Sequence, residues 1–250
     1  MEIPNRVKPF NFGGLLPPLA DYETARFVVL PVPFEGTVTY LKGAAKGPQA
    51  VIEASRHMEL YDEVLAAVIA DAGIHTLEPL EVQPTSEQES LEVGRVAAQL
   101  IADKKVMAMI GGEHSITYGA VAAFKKNFDD LCVVQLDAHA DLRAKGLAAV
   151  QAEILSTLTD EVYLTMDIDV FDPAFVPGTG TPEPGGLTWD EVTAFVRTLA
   201  GAKQIVGFDV VEVAPIPGSV CSEFLAARLA YRTMGCIAEA AGLLKPASPA

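Results

Sequence analysis

Four apolar runs, each closed at its C-terminal end by acids or a histidine, constrain this chain more than any other feature. Val106–Ile110 (VMAMI) leads through two glycines to Glu113 and His114, and Leu131–Leu136 (LCVVQL) leads to Asp137, His139 and Asp141. Val162–Met166 (VYLTM) delivers Asp167 and Asp169, and Gln204–Val211 (QIVGFDVV) reaches Glu212. Short continuous apolar runs of this kind read as strands covered on both faces. The stretches between them read as helices. Ser86-Glu87-Gln88-Glu89 has the pattern of a capping box opening a helix to about Asp103, and Thr188-Trp189-Asp190-Glu191 opens another to about Ala200. Helices are also expected from Ser115 to about Lys126, from Ala148 to Leu158 and from Cys221 to Leu244.

Upstream, Phe27–Pro31 reads as a further strand and Phe34–Gly47 as a loop without period, and Pro48 suits the first turn of a helix ending near Arg56. The segment 61–73 matches no single template. Strand and helix thus alternate along the chain, which implies a parallel sheet with helices on both faces and right-handed crossovers. At 250 residues the chain accommodates one large α/β domain, and no shift in composition marks a second.

In an open parallel sheet, ligands bind outside the carboxyl ends of the strands. His114, the Asp137–His139–Asp141 set, the Asp167–Asp169 pair and Glu212 therefore converge on one rim although they are distant in sequence. Strand alternation would send Asp167 and Asp169 to the same side, and carboxylates that close repel unless protons or a cation hold them. Four aspartates carry about four negative charges, which two divalent cations neutralise. Oxygen-rich ligands with a minority of imidazole favour Mn²⁺, with Zn²⁺, Fe²⁺ and Co²⁺ also compatible. Two such ions activate water near neutral pH, so the expected chemistry is hydrolysis.

Composition removes several other classes. A net charge of −15 argues against a nucleic-acid backbone as partner; it suits a cationic small substrate, and it equally suits a role in solubility alone. No apolar run approaches the roughly 20 residues of a membrane span, and Met1–Gly14 has prolines and polar residues where a secretory signal needs an apolar centre. Cys132, Cys221 and Cys236 form no CxxC pair, so they read as buried thiols in a reducing cytoplasm rather than as a disulfide or thiolate–metal framework. His57 and His75 lie away from every motif. Glu113 and Arg143 read as structural partners of nearby groups, and the glycines at 178, 180, 185 and 186 as setting loop geometry.

The motifs GGEHS, DAHADLR, MDIDVFDPAFVPGTGTPEPGGL and DVVEVAP, in that order, resemble the signatures of the ureohydrolase family of arginases and agmatinases. GTVTYLKGAAKGPQAVIEAS and the GTGTPEPGG loop look most like bacterial agmatinases. The resemblance implies a three-layer α/β/α fold with a mainly parallel central sheet and two Mn²⁺ ions. It also implies release of urea from agmatine, leaving putrescine for polyamine biosynthesis, and a homo-oligomer, commonly a trimer or hexamer. His114, Asp137, Asp141 and Asp167 would hold one ion, and Asp137, His139, Asp167 and Asp169 the other. Glu212 would grip the substrate guanidinium through paired, charge-assisted hydrogen bonds, and Asp141 would pass a proton to the departing amine.

One departure stands out. After DxHxDxR the family continues through a loop with a Ser-His pair and a further strand, whereas here Arg143 is followed by AKGLAAVQAEILSTLTDEVYLT. A segment of several tens of residues, with its histidine, is missing around residues 143–153. Either the protein lacks it or the sequence is joined across it. Loss of an interior strand would expose its neighbours' apolar faces, which favours the second. The rivals to agmatine are other guanidino or formimino substrates, namely guanidinobutyrate, formiminoglutamate and arginine. Rivals to the whole reading are a non-catalytic metal-binding relative and a single-zinc deacetylase of related fold.

Overall fold

The structure is a computed structural model that describes residues 8–38, 40–139 and 147–245, with side chains from 151 onward in the last stretch. Its centre is a six-stranded sheet in the order β4-β1-β5-β8-β7-β6, in which all neighbours run parallel. The strands are β1 (Phe27–Val32), β4 (Ile74–Thr76), β5 (Val106–Gly111), β6 (Cys132–Leu136), β7 (Glu161–Asp167) and β8 (Gln204–Val211). A small antiparallel ribbon, β2 (Tyr61–Asp62) with β3 (Ala67–Val68), lies outside the sheet.

Six helices form the outer layers: α1 (Gly47–Ser55), α2 (Ser86–Ala102), α3 (Thr117–Lys125), α4 (Leu147–Thr157), α5 (Trp189–Ala202) and α6 (Cys221–Ala240). One core joins α1, α5 and α6 to the sheet through residues such as Val51, Phe195, Leu199 and Met234, with Ile154 and Leu155 of α4 packed against it. A second core, with Val93, Leu100, Ala120 and Phe124, joins α2 and α3 to the opposite face. This is the three-layer α/β/α arrangement with a parallel centre.

β1 and β5 are buried at every position, as continuous apolar runs require. β6 is different. It closes one edge of the sheet, Val134 and Leu136 are buried, and Val133 stands 44% exposed on the face where Tyr163 of β7 packs against α3. Among the described residues, the cover expected on both faces of the sheet is incomplete at this edge.

Other differences are local. α2 begins under Thr85, whose hydroxyl accepts from Gln88 N, so the cap is one residue earlier than the sequence pattern placed it. Glu89 turns back to accept the Gln83 N–H instead of closing a box on Ser86. At α5 the box is present as expected, with Thr188 and Glu191 bonded in both directions. α6 ends at Ala240, short of Leu244, because Gly242 takes a left-handed turn at φ +67°. Of the three free thiols only Cys236 is buried, and Cys221 is exposed. Among the described residues, no helix is long and apolar enough to cross a membrane.

Candidate metal centre

Strand register brings the ends of β5, β8, β7 and β6 to one rim. Leu136 pairs with Met166, Asp167 with Val211, and Ile110 with Val210, so the residues after each strand emerge side by side. Gly112 makes the exit from β5 possible, because a Cβ there would lie 1.9 Å from Phe34 O. That close approach lets Gly112 N reach Val32 O and Glu113 N reach Phe34 O, and the chain then turns into the short 3₁₀ segment His114–Ile116.

Glu113 is only 2% exposed. Its carboxylate accepts from the backbone of Gly36 and Thr37 and from the hydroxyls of Thr37 and Ser115. Burial opposes its charge, but these four donors hold it below the usual glutamate range. Glu113 is the structural partner that the sequence suggested, tying the 34–37 loop to the rim.

His114 turns its Nδ1 to Asp167 Oδ2 at 3.1 Å and to Asp137 Oδ2 at 3.5 Å. His139 turns its Nδ1 to Asp169 Oδ2 at 2.9 Å and to Asp137 Oδ1 at 3.4 Å. Two groups of potential ligand atoms result, each within 4.8 Å: His114, Asp137 and Asp167 in one, and Asp137, His139 and Asp169 in the other. Asp137 belongs to both. Each group supplies one imidazole and two carboxylates, a donor set that fits a divalent cation of the Mn²⁺ type. Asp141 and Arg143 lie outside the described residues.

Asp167 and Asp169 reach their places by a different route from the strand alternation expected. β7 ends at Asp167, and Ile168–Val170 forms a 3₁₀ turn in which Asp167 Oδ1 caps the Asp169 N–H at 3.0 Å. The turn sends one carboxylate to each histidine. Further backbone bonds fix the set, from Ala138 N to Asp169 Oδ1 and from His139 N to Asp137 Oδ1, with Gln135 Nε2 on Asp137 Oδ2.

The electrostatics are those of acids crowded out of water. Burial, joined by the Asp169 charge and opposed by the His114 hydrogen bond, pushes Asp167 up to about 7. Asp169 is raised as well, by burial first and then by Asp137. For His114 burial works against the charged ring, but bonds to Asp137 and Asp167 raise it to about 10. Asp137 is driven well below the usual carboxylate range, since bonds from His114, the His139 N–H and Gln135 outweigh its burial.

Glu212 follows β8 with φ +64°, a backbone conformation uncommon outside glycine and costly to hold. Gly112 O takes its N–H at 2.8 Å, and its Oε1 accepts the His114 N–H at 2.6 Å. The side chain lines a pocket of about 310 Å³ shared with His114, His139, Asp167, Thr37, Tyr40 and Thr181. The capping bond and the pocket position coexist.

Two residues behind the centre escaped the sequence reading. Thr165 Oγ1 lies 2.8 Å from His114 Nε2, and it donates to Asp209, which is fully buried inside β8. The signal was an acid set within an apolar strand, QIVGFDVV. By contrast, His75 sits on β4 bonded to Ala20 O, and His57 is exposed beside Glu53, as their distance from the motifs suggested.

Known proteins carry the same architecture. The sequence profile of the Arginase family matches residues 25–147 and 142–236. An N(1)-aminopropylagmatine ureohydrolase of Synechocystis sp. is 38% identical, covering 87% of this chain and 90% of its own. The protein of the same name from Thermus thermophilus is 33% identical, covering 89% and 94%. Agmatine ureohydrolase of Thermoplasma volcanium superposes with a TM-score of 0.83 at 24% identity, over 95% of this chain and 96% of that one, which speaks for the fold. The Synechocystis alignment runs over 277 positions but takes in about 217 of these 250 residues, leaving about 60 positions of the relative without a counterpart here. The two profile blocks meet between β6 and α4. With the profile spanning nearly all of the described core, the chain belongs to the arginase family, the ureohydrolases that cleave C–N bonds of linear amidines.

Proposed function

We propose that this chain is a binuclear manganese amidinohydrolase that releases urea from an agmatine-type guanidine, with N(1)-aminopropylagmatine ahead of agmatine itself. The observation that carries the reading is the sharing of Asp137 between two imidazole–carboxylate groups, of which His114, His139 and Asp167 line one pocket with Glu212. His114, Asp137 and Asp167, joined by Asp141, would hold one ion, and Asp137, His139 and Asp169 the other. When bound, the cations supply Lewis acidity and make water nucleophilic near neutral pH.

The remaining work falls to the chain's own groups. Glu212 Oε1 is fixed by the His114 N–H, and an ionised carboxylate has lone pairs beyond that one bond, so its pocket-facing side can take the edge of a planar guanidinium. Burial raises the Glu212 carboxyl, which favours its pairing with a cationic ligand over remaining a lone charge. Asp141 would return a proton to the leaving amine. The choice of substrate rests on the names of the relatives at 38% and 33% identity and on a chain charge of −15, which suits a ligand with further amines beyond the guanidinium. The reading includes one domain over residues 1–250, short of the family segment around 143–153, in a cytoplasmic homo-oligomer, trimer or hexamer.

A second reading has a specific observation behind it. The Synechocystis relative has about 60 positions that this chain does not match, and the two profile blocks meet just after the DxHxDxR motif, which the family's Ser-His loop follows. A metal-binding relative without turnover would arise in that way. Urea release from the Mn²⁺-loaded protein separates the two, measured on N(1)-aminopropylagmatine, agmatine, guanidinobutyrate, formiminoglutamate and arginine. The proposal expects urea from the first at the highest kcat/KM and from agmatine at a lower one. A fully metallated protein that yields no urea from any of them overturns the catalytic reading.

A further inference from the structure

Behind His114, on the side away from the acids, a chain of hydrogen bonds runs into the core. His114 Nε2 meets Thr165 Oγ1 at 2.8 Å, and Thr165 Oγ1 meets Asp209 Oδ1 at 2.6 Å. The second oxygen, Asp209 Oδ2, accepts from Tyr163 OH at 2.8 Å and from Thr117 Oγ1 at 3.0 Å. Asp209 is 0% exposed, and among the described residues no lysine or arginine pairs with it. A carboxylate buried so deeply is costly unless its lone pairs are filled. Here β7 supplies Tyr163 and Thr165, the β7–β8 register sets Thr165 opposite Asp209, and α3 supplies Thr117.

The direction of the protons follows from donor counting. A threonine hydroxyl has one hydrogen. Asp209 receives hydroxyls from three sides, as an ionised, acceptor-only carboxylate would, so the Thr165 hydrogen points to Asp209. The oxygen is then an acceptor towards the ring, and His114 must carry its hydrogen on Nε2. Once the ring is neutral, as ligation requires, the Nδ1 lone pair faces Asp137 and Asp167, where the first cation would sit. Metal-ligating histidines generally give their other N–H to a carboxylate or carbonyl, which fixes tautomer and ring angle. A hydroxyl stands between the two here.

We propose that Thr165 and Asp209 are positioning residues for the first metal, holding His114 as its Nε2–H tautomer and orienting Nδ1 through a threonine-bridged contact with a buried carboxylate. This deepens the metal-centre reading and rests on His114 ligating through Nδ1. The test is a calorimetric Mn²⁺ titration of the metal-free full chain beside Thr165→Val, Thr165→Ser, Asp209→Asn and His114→Ala, each checked for cooperative unfolding. Val matches Thr in shape and suits a strand, so Thr165→Val removes the hydroxyl and keeps the sheet. Thr165→Val and Asp209→Asn are expected to weaken one of two Mn²⁺ sites 10–100-fold, the other site staying within about threefold, and Thr165→Ser to restore both. With Zn²⁺ as a diamagnetic probe, the nitrogen resonances of His114 are expected to give a protonated Nε2, whose proton signal shifts or vanishes in Thr165→Val.

The outcomes separate cleanly. If His114→Ala abolishes one site while Thr165→Val and Asp209→Asn bind like the parent, the relay is overturned and the metal centre stands. If His114→Ala binds two ions like the parent, the metal-centre reading itself fails. A Zn²⁺-loaded protein with the His114 proton on Nδ1 also overturns the relay. Should Asp209→Asn fail to fold, Thr165→Val with its serine rescue decides alone.

Discussion

His114 and Asp167 are 3.1 Å apart and both hold protons more tightly than free side chains, at about 10 and about 7. A cation taken up between them has to displace those protons, because ligation needs a neutral imidazole and an ionised carboxylate. For the metal-free protein the sign is the same for the two, since each binds its proton more tightly folded than unfolded. His114, raised above its unfolded value near 6.5, contributes stability that is complete below that value and lost as pH rises through about 10. Asp167, raised from 3.8 mainly by burial, is favoured neutral in the fold, so its contribution is likewise complete below 3.8 and lost as pH rises through about 7. Metal affinity consequently rises with pH from 6 to 9, and each binding event releases protons. Calorimetry of Mn²⁺ binding in buffers of different ionisation enthalpy measures that release. Proton-neutral binding with a flat pH profile would contradict this account of the pair.

The clustering of these side chains was legible because the motifs are short spans: Asp137 and His139 are two apart, and so are Asp167 and Asp169. The relay was not legible. Thr165 and Asp209 are 44 positions apart, and only the β7–β8 register makes them partners.

At the scale of elements, sequence pattern located every strand that supplies a site residue, because each is a segment of five to eight mostly apolar positions. β2, β3 and β4, two or three residues long, are too short to display a period. The start of α2 is a finer case, since Thr85 and Ser86 are both good caps and only the backbone decides between them. Thr85, at φ −136° and ψ 155°, has the extended conformation of a cap, while Ser86 is the first helical residue. Thr85→Ala should therefore cost about 1 kcal/mol, a fall in Tm of roughly 2–4 °C for a domain of this size, and Ser86→Ala should be near neutral. Thermal unfolding of the metal-free variants checks both, and equal losses would contradict the assigned cap.

For the molecule as a whole, β6 is an edge of the sheet among the described residues, and α4 lies between it and β7 in the chain. The sequence argument that a missing strand would uncover its neighbours has its counterpart in Val133, exposed on that edge. What the alternation of elements could not convey was which strand would be left at the border, since strand order is a property of three-dimensional pairing. The acids gathered at the opposite ends of these strands are the expensive part of the design. Like charges packed into a buried rim, within a chain of net charge −15, are the cost of a site whose ions supply the balancing charge.

The central claim is that two cation sites share Asp137. Elemental analysis of the Mn²⁺-loaded chain, set beside Asp137→Asn, His114→Ala and His139→Ala, tests it most directly. The account predicts two manganese per chain for the parent, one for each histidine variant and none retained by Asp137→Asn. One ion or fewer in the parent, or two still held after Asp137→Asn, would contradict it.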